Sequence, residues 1–227
     1  SRNSIFLSLF LIIIWGSGEL IKKFSWVNKI NSPLKVSLIQ GNISQDKKWD
    51  IKFLNESLDK YIELIKSSSA SLIILPETSI PLLLHQIPSS YLNEIKNHAI
   101  KNDGDVILGV IEKEKKEFYN SAISIGANPM QYYRKFHLVP FGEFIPFNKI
   151  IGYVYKNWLD IPFSNLSRGS EIQPLIAVSG QKLGLNICYE DVFGYEIIKS
   201  LPEATILINI SNDAWYGKSI AASQHLQ

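Results

Sequence analysis

The chain has 227 residues, 46% of them hydrophobic, and a formal net charge of only +2. That length supports one good-sized α/β domain with a substantial core, and the small, scattered charge leaves no footprint for nucleic acid. A single cysteine excludes an intramolecular disulfide, and the four histidines are too dispersed to suggest a metal site. No cofactor is implied either.

The first segment, residues 4–15, is apolar and extends through Gly16-Ser17-Gly18 to Ile21. Crossing a bilayer takes about 20 residues, a length reached here by including Glu19. A signal peptide and a core helix are the alternatives, and a membrane span is the preferred reading. Gly16-Ser17-Gly18 lacks the strand-to-helix setting of a phosphate loop.

From Leu34 onward, short β-rich runs alternate with amphipathic stretches. Residues 35–40 read as a strand between Pro33 and Gly41. Residues 51–65 place Leu54, Leu58, Tyr61, Ile62 and Ile65 at helical spacing, with Asp50 as cap. A buried strand over 71–75 leads to Glu77. A helix over 91–100 and a strand over 106–111 follow.

Residues 113–116 form a solvated hairpin tip, and 118–125 and 131–136 the next strands of a meander. A hairpin over 175–178 and 183–188 turns at Gly180-Gln181. A short helix over 193–200 and a strand over 205–210 complete the pattern, which defines an α/β sheet with helices on its faces. The stretch 144–168 has no clean period but carries Phe144, Phe147, Tyr153, Tyr155, Trp158 and Phe163. It is either a lid over a lipid chain or the bilayer interface, or core packing beneath a loop.

Three residues at predicted strand ends define a chemistry. Glu77 follows Ile73-Ile74-Leu75-Pro76, Lys135 opens Lys135-Phe136-His137-Leu138-Val139-Pro140, and Cys188 closes Leu185-Asn186-Ile187. A carboxylate, an ammonium and a thiol supply a base, an oxyanion partner and a nucleophile, the inventory for acyl transfer through a thioester. Taken singly, Glu77 also suits a helix start, Lys135 an exposed edge strand, and Cys188 an inert buried position. The Gly-x-Ser-x-Gly pattern of a serine lipase is absent.

These residues also carry a resemblance. The words Gln40-Gly41-Asn42-Ile43, Lys48-Trp49-Asp50, Leu75-Pro76-Glu77-Thr78, the stretch 137–146, Ser167-Arg168-Gly169, Cys188-Tyr189-Glu190 and the stretch 210–219 occur in the order seen in the nitrilase, or carbon-nitrogen hydrolase, superfamily. The chain most resembles the membrane-bound branch, the apolipoprotein N-acyltransferases of the bacterial inner membrane. The resemblance implies a four-layer αββα sandwich over 34–227, preceded by a transmembrane and juxtamembrane segment over 1–30. It further implies that the sequence stops before the remaining strands and a last membrane helix.

The same resemblance assigns base, oxyanion and nucleophile roles to Glu77, Lys135 and Cys188, with Glu143 as an additional carboxylate near the lysine. Trp49, Tyr189, Ser211 and Trp215 would shape the substrate pocket, with Glu190 beside them as substrate-binding or orienting carboxylate. The implied partners are a phospholipid acyl donor, phosphatidylethanolamine above all, an apolipoprotein acceptor, and membrane lipid. The implied location is the inner membrane with the catalytic domain facing the periplasm. Two alternatives stay open at this point: a superfamily hydrolase of small amides or nitriles, and a non-catalytic membrane-anchored protein.

Overall fold

The computed structural model describes residues 2–28, 33–146, 165–217 and 219–225. The chain divides into two compact units, Ser1–Pro33 and Leu34–Gln227. The first is dominated by one helix, α1 (Arg2–Ile21). Its stretch Asn3–Ile21 has a mean hydropathy of 2.0 and is long and apolar enough to cross a membrane. The carboxylate that interrupts the apolar run, Glu19, pairs with Lys22 at 2.6 Å.

The second unit is built on two sheets. Five strands, β1 (Val36–Leu38), β2 (Leu72–Ile74), β3 (Asp105–Glu114), β4 (Glu117–Gly126) and β5 (Gln131–Arg134), lie side by side in chain order. β1, β2 and β3 run parallel, whereas β3–β4 and β4–β5 are antiparallel. The second sheet holds β6 (Ile176–Val178), β7 (Gln181–Ile187) and β8 (Ile206–Ile210), with β7 and β8 parallel.

Side-chain alternation decides how these layers stack. Leu72, Ile74, Ile107 and Ala122 of the first sheet share a buried cluster with Ile176, Val178, Leu183, Leu185, Ile187, Ile208 and Ile210 of the second. The opposite face of the first sheet, with Ile73, Val106, Leu108, Val110, Ile123 and Ile125, is covered by two helices. These are α3 (Leu54–Ser67), which buries Leu58, Tyr61, Ile62 and Ile65, and α4 (Ser89–Lys101), which buries Ile95 and Ala99. A shorter helix precedes them, α2 (Gln45–Lys48). On the outer face of the second sheet, Ser200 lies against Gly184, just beyond α5 (Gly194–Ile197). A last short helix, α6, covers Ala221–His225.

The predicted elements are recovered with small shifts. Asp50 caps the first turn by accepting a hydrogen bond from Lys52 N at 2.9 Å, so residues 51–53 form a 3-10 turn leading into α3. The second-sheet hairpin turns at Ser179-Gly180, one residue before the expected place, because Gln181 already pairs with Val178. Both turn residues have positive φ, 46° and 75°, the twist that a two-residue hairpin loop needs. Within the aromatic stretch 144–168, Phe147, Tyr153, Tyr155, Trp158 and Phe163 lie outside the described residues.

Topology brings the site together at one sheet edge. Two successive antiparallel steps turn β5 parallel to β3, so the segments after β2 and β5 emerge on the same side. Gly109 of β3 makes room for the first of them. A Cβ there would sit 2.4 Å from Pro76 O and 2.7 Å from Glu77 Cα, and Ser79 N donates to Gly109 O at 2.9 Å. Gly109→Ala should therefore lose about 1–3 kcal/mol of stability by overpacking, read as a denaturation midpoint. Gly194→Ala, where a Cβ meets nothing within 4 Å, should stay within about 0.5 kcal/mol of the parent.

Candidate active site

Glu77 sits in the bend just past β2 and is 6% exposed. Its Oε1 accepts from Asn120 Nδ2 at 2.7 Å and faces Lys135 Nζ at 3.6 Å, while Oε2 accepts from the Asn212 backbone N at 3.1 Å. The next residue, Thr78, has a φ of 44°, a strained value for a β-branched side chain.

Lys135 follows β5 and is 1% exposed. Its backbone N–H extends the strand ladder to Asn120 O at 2.8 Å, and its Nζ pairs with Glu143 Oε2 at 2.9 Å. Burial works against its charge, but Glu77, Glu143 and Cys188 outweigh it and hold the ammonium above the ordinary lysine range. Glu143 is fixed in turn by Val139 N at 2.8 Å and by Asn120 Nδ2 at 2.8 Å. One amide group, that of Asn120, thus bridges both carboxylates.

Cys188 is the first residue past β7 and adopts a φ of 52°. That left-handed value turns the chain abruptly out of the strand, at a strain of order 1–3 kcal/mol. Its carbonyl is held by Asn209 Nδ2 at 2.9 Å. Burial, then the Glu77 carboxylate, push its thiol up to about 12, against the lowering influence of Lys135, the Ser211 hydroxyl and the Tyr189 backbone. The resting group is a neutral thiol.

Glu77, Lys135, Glu143 and Cys188 line one cavity of about 390 Å³ together with Trp49, Thr78, Ile111, Asn120, Val139, Gly142, Leu166, Asn212, Trp215 and Tyr216. The structure therefore brings together six of the nine expected site residues. Tyr189, Glu190 and Ser211 lie beside Cys188 but outside that lining. Tyr189 packs edge-on against Phe193 and His137.

The Ser211 hydroxyl donates to Asp213 Oδ1 at 3.0 Å, and that carboxylate also meets His225 Nδ1 at 2.9 Å. Glu190 is 2% exposed and accepts from Phe136 N, His137 N, Ile187 N and Tyr133 OH at 2.8–3.0 Å. It ties the segment carrying Lys135 to the strand carrying Cys188.

Asn120 and Asn212 also line the cavity and bond to Glu77, and neither stood out in the sequence as a site residue. Asn120 lies inside a predicted strand with nothing to mark it. Asn212 follows the last strand just as Glu77 and Cys188 follow theirs, and that parallel was an available signal.

The fold agrees with comparison to known proteins. The family model of carbon-nitrogen hydrolases matches residues 35–227, and the chain belongs to that family. Among curated relatives, it is 44% identical over 216 residues to an apolipoprotein N-acyltransferase of Nitrosomonas europaea, covering 94% of this chain and 43% of that protein. A relative of the same name from Chromobacterium violaceum is 40% identical over 228 residues, covering all of this chain and 44% of its own length. The chain thus spans less than half the length of these relatives.

The fold also matches the crystal structure of a CN-hydrolase superfamily protein from Xanthomonas campestris with an arsenic adduct in its active site. The TM-score is 0.58 at 18% identity, over 85% of this chain and 69% of that one. At that identity the likeness is one of fold.

A buried neutral thiol has a distinctive titration. Alkylation of Cys188 by iodoacetamide should keep accelerating between pH 9 and 11, where an ordinary thiol has already levelled off. A plateau near pH 9 would show that burial and Glu77 do not act on the thiol as described.

Proposed function

We propose that the chain carries the catalytic part, residues 34–227, of a membrane-bound N-acyltransferase that works through a thioester on Cys188. The observation that carries this reading is the shared cavity. A thiol, a carboxylate within reach of a buried ammonium, and a second carboxylate behind that ammonium converge on a pocket walled by Trp49, Ile111, Val139, Leu166 and Trp215. Those apolar walls suit an acyl chain, and the names of the relatives point the same way.

In the first step Glu77 takes the Cys188 proton as Sγ attacks the ester carbonyl of a phospholipid, phosphatidylethanolamine being the favoured donor. Lys135 neutralises the oxyanion, an effect whose loss typically lowers rates about 10²- to 10³-fold. The C–O bond breaks, Glu77 returns the proton to the departing alkoxide, and a lysophospholipid leaves. In the second step the α-amino group of an apolipoprotein's diacylglyceryl-cysteine attacks the thioester. Its proton passes through Glu77 to the Cys188 sulfur as the C–S bond breaks.

Glu143 holds Lys135 in place throughout. Trp49, Trp215, Tyr189 and Ser211 shape the substrate's surroundings, and Glu190 orients the two segments that carry Lys135 and Cys188. Residues 1–30 serve as membrane span and juxtamembrane segment, placing the catalytic unit at the periplasmic face of the inner membrane, where both lipid substrates are found.

The test is acyl transfer from phosphatidylethanolamine to a diacylglyceryl-cysteine peptide in detergent. Cys188→Ala and Glu77→Gln should each abolish product, and Lys135→Met should reduce it by at least about 10²-fold. Turnover of small amides with no transfer to the peptide would replace this reading with a hydrolase of the same family.

A further inference from the structure

A second lysine lies behind the site. Lys48, at the end of α2, is only 7% exposed, although a lysine is rarely buried without a partner carboxylate. The two oxygens its Nζ reaches are Thr78 Oγ1 at 2.8 Å and Glu77 O at 3.4 Å, and neither is charged. Thr78 is the strained residue immediately after Glu77, with its φ of 44°. Next in sequence to Lys48 stands Trp49, part of the cavity wall.

We propose that Lys48 is a positioning residue for the Cys188 site: it pins the Glu77–Thr78 bend and places a second buried cation behind Glu77. Around the site the charged groups are Glu77 from the bend after β2, Glu143 from the turn after Val139, Lys135 from the end of β5 and Lys48 from α2, with Glu190 from the turn after β7 buried beside Cys188. On the far side of Cys188, His225 is paired with Asp191 and Asp213, and Tyr216 is a further titratable neighbour.

Without Lys48 the Glu77 bend loses a buried positive neighbour, next to a thiol that must itself develop negative charge. Removing a nearby cation disfavours an ionised thiol, and an alkylation rate reads that change.

The energetics favour a functional reason for the lysine. Burial pushes the Lys48 pKa down to about 8 in spite of the upward pull of Glu77. A lysine depressed in the folded state destabilises the fold while it is charged, and the penalty is relieved as pH rises above that value. A purely structural position would be better filled by an apolar side chain of similar length. The charge itself is therefore what the site retains.

The inference rests on Cys188 being the reactive thiol of the proposed function, and iodoacetamide alkylation tests it without any acyl donor. Lys48→Met should slow Cys188 alkylation about ten-fold at pH 7, with a melting temperature no lower than that of the parent. The ratio of parent to Lys48→Met rates should shrink above pH 8, as the parent lysine loses its own proton. Lys48→Arg, which stays charged, should restore the neutral-pH rate and should outpace the parent progressively above pH 8.

A loss of rate that is independent of pH and parallel to a loss of melting temperature would overturn the inference, as would unchanged alkylation in Lys48→Met. If the pattern holds while Cys188 accepts no acyl chain from phospholipid, the inference stands and the acyltransferase reading falls.

Discussion

The structure is organised around one electrostatic constraint: two carboxylates and an ammonium buried at a sheet edge, each needing the others. Lys135 is almost fully enclosed, with Glu143 at 2.9 Å and Glu77 at 3.6 Å, and Asn120 donates to both carboxylates at once. An isolated charge in such a place would give up its proton or unfold its surroundings. Together the groups pair with one another and are held in place. The meander that returns β5 parallel to β3, the bare backbone at Gly109 and the four hydrogen bonds to Glu190 all hold this arrangement in register.

That constraint also sets how the thiol behaves. Burial and the nearby Glu77 raise the Cys188 thiol above its ordinary range, so the proposed chemistry calls for the proton to leave as the sulfur attacks. The same Glu77 that raises the thiol's pKa is placed to receive its proton. Transfer from sulfur to carboxylate moves a charge across the cluster without changing its total, and a low-dielectric site tolerates that more readily than gaining or losing a charge. Lys135, held above its ordinary range, stays charged throughout and available to an oxyanion. The left-handed turn at Cys188 ends the strand and leaves the residue in the cavity lining.

Much of this was legible in the sequence because chemistry and periodicity coincided. Glu77 and Cys188 each close an apolar run and Lys135 opens the stretch that follows a strand, and a charged or reactive residue at a strand end has few structural reasons to be there. Of the helices covering the first sheet, α3 declared itself by the 3.6-residue spacing of Leu54, Leu58, Tyr61, Ile62 and Ile65. Residues acting through their placement were less legible. Asn120 sits mid-strand, and only the register of β3 against β4 and the return of β5 aim its amide between two distant carboxylates. Lys48 was visible only as part of the word Lys48-Trp49-Asp50, because composition favours lysine at the surface and nothing local foretells its burial. Glu190 was noticed for its neighbour Cys188, whereas its four donors come from two separate segments that meet only in the folded chain.

The account stands on Cys188 accepting an acyl group within this cluster. The direct measurement is the intact mass of the detergent-solubilised protein after incubation with phosphatidylethanolamine alone, with no acceptor present. A gain of one acyl chain that is removed by neutral hydroxylamine and maps to Cys188 is the predicted result. A folded protein whose mass does not change, or an acyl group mapped to any other residue, would contradict the account.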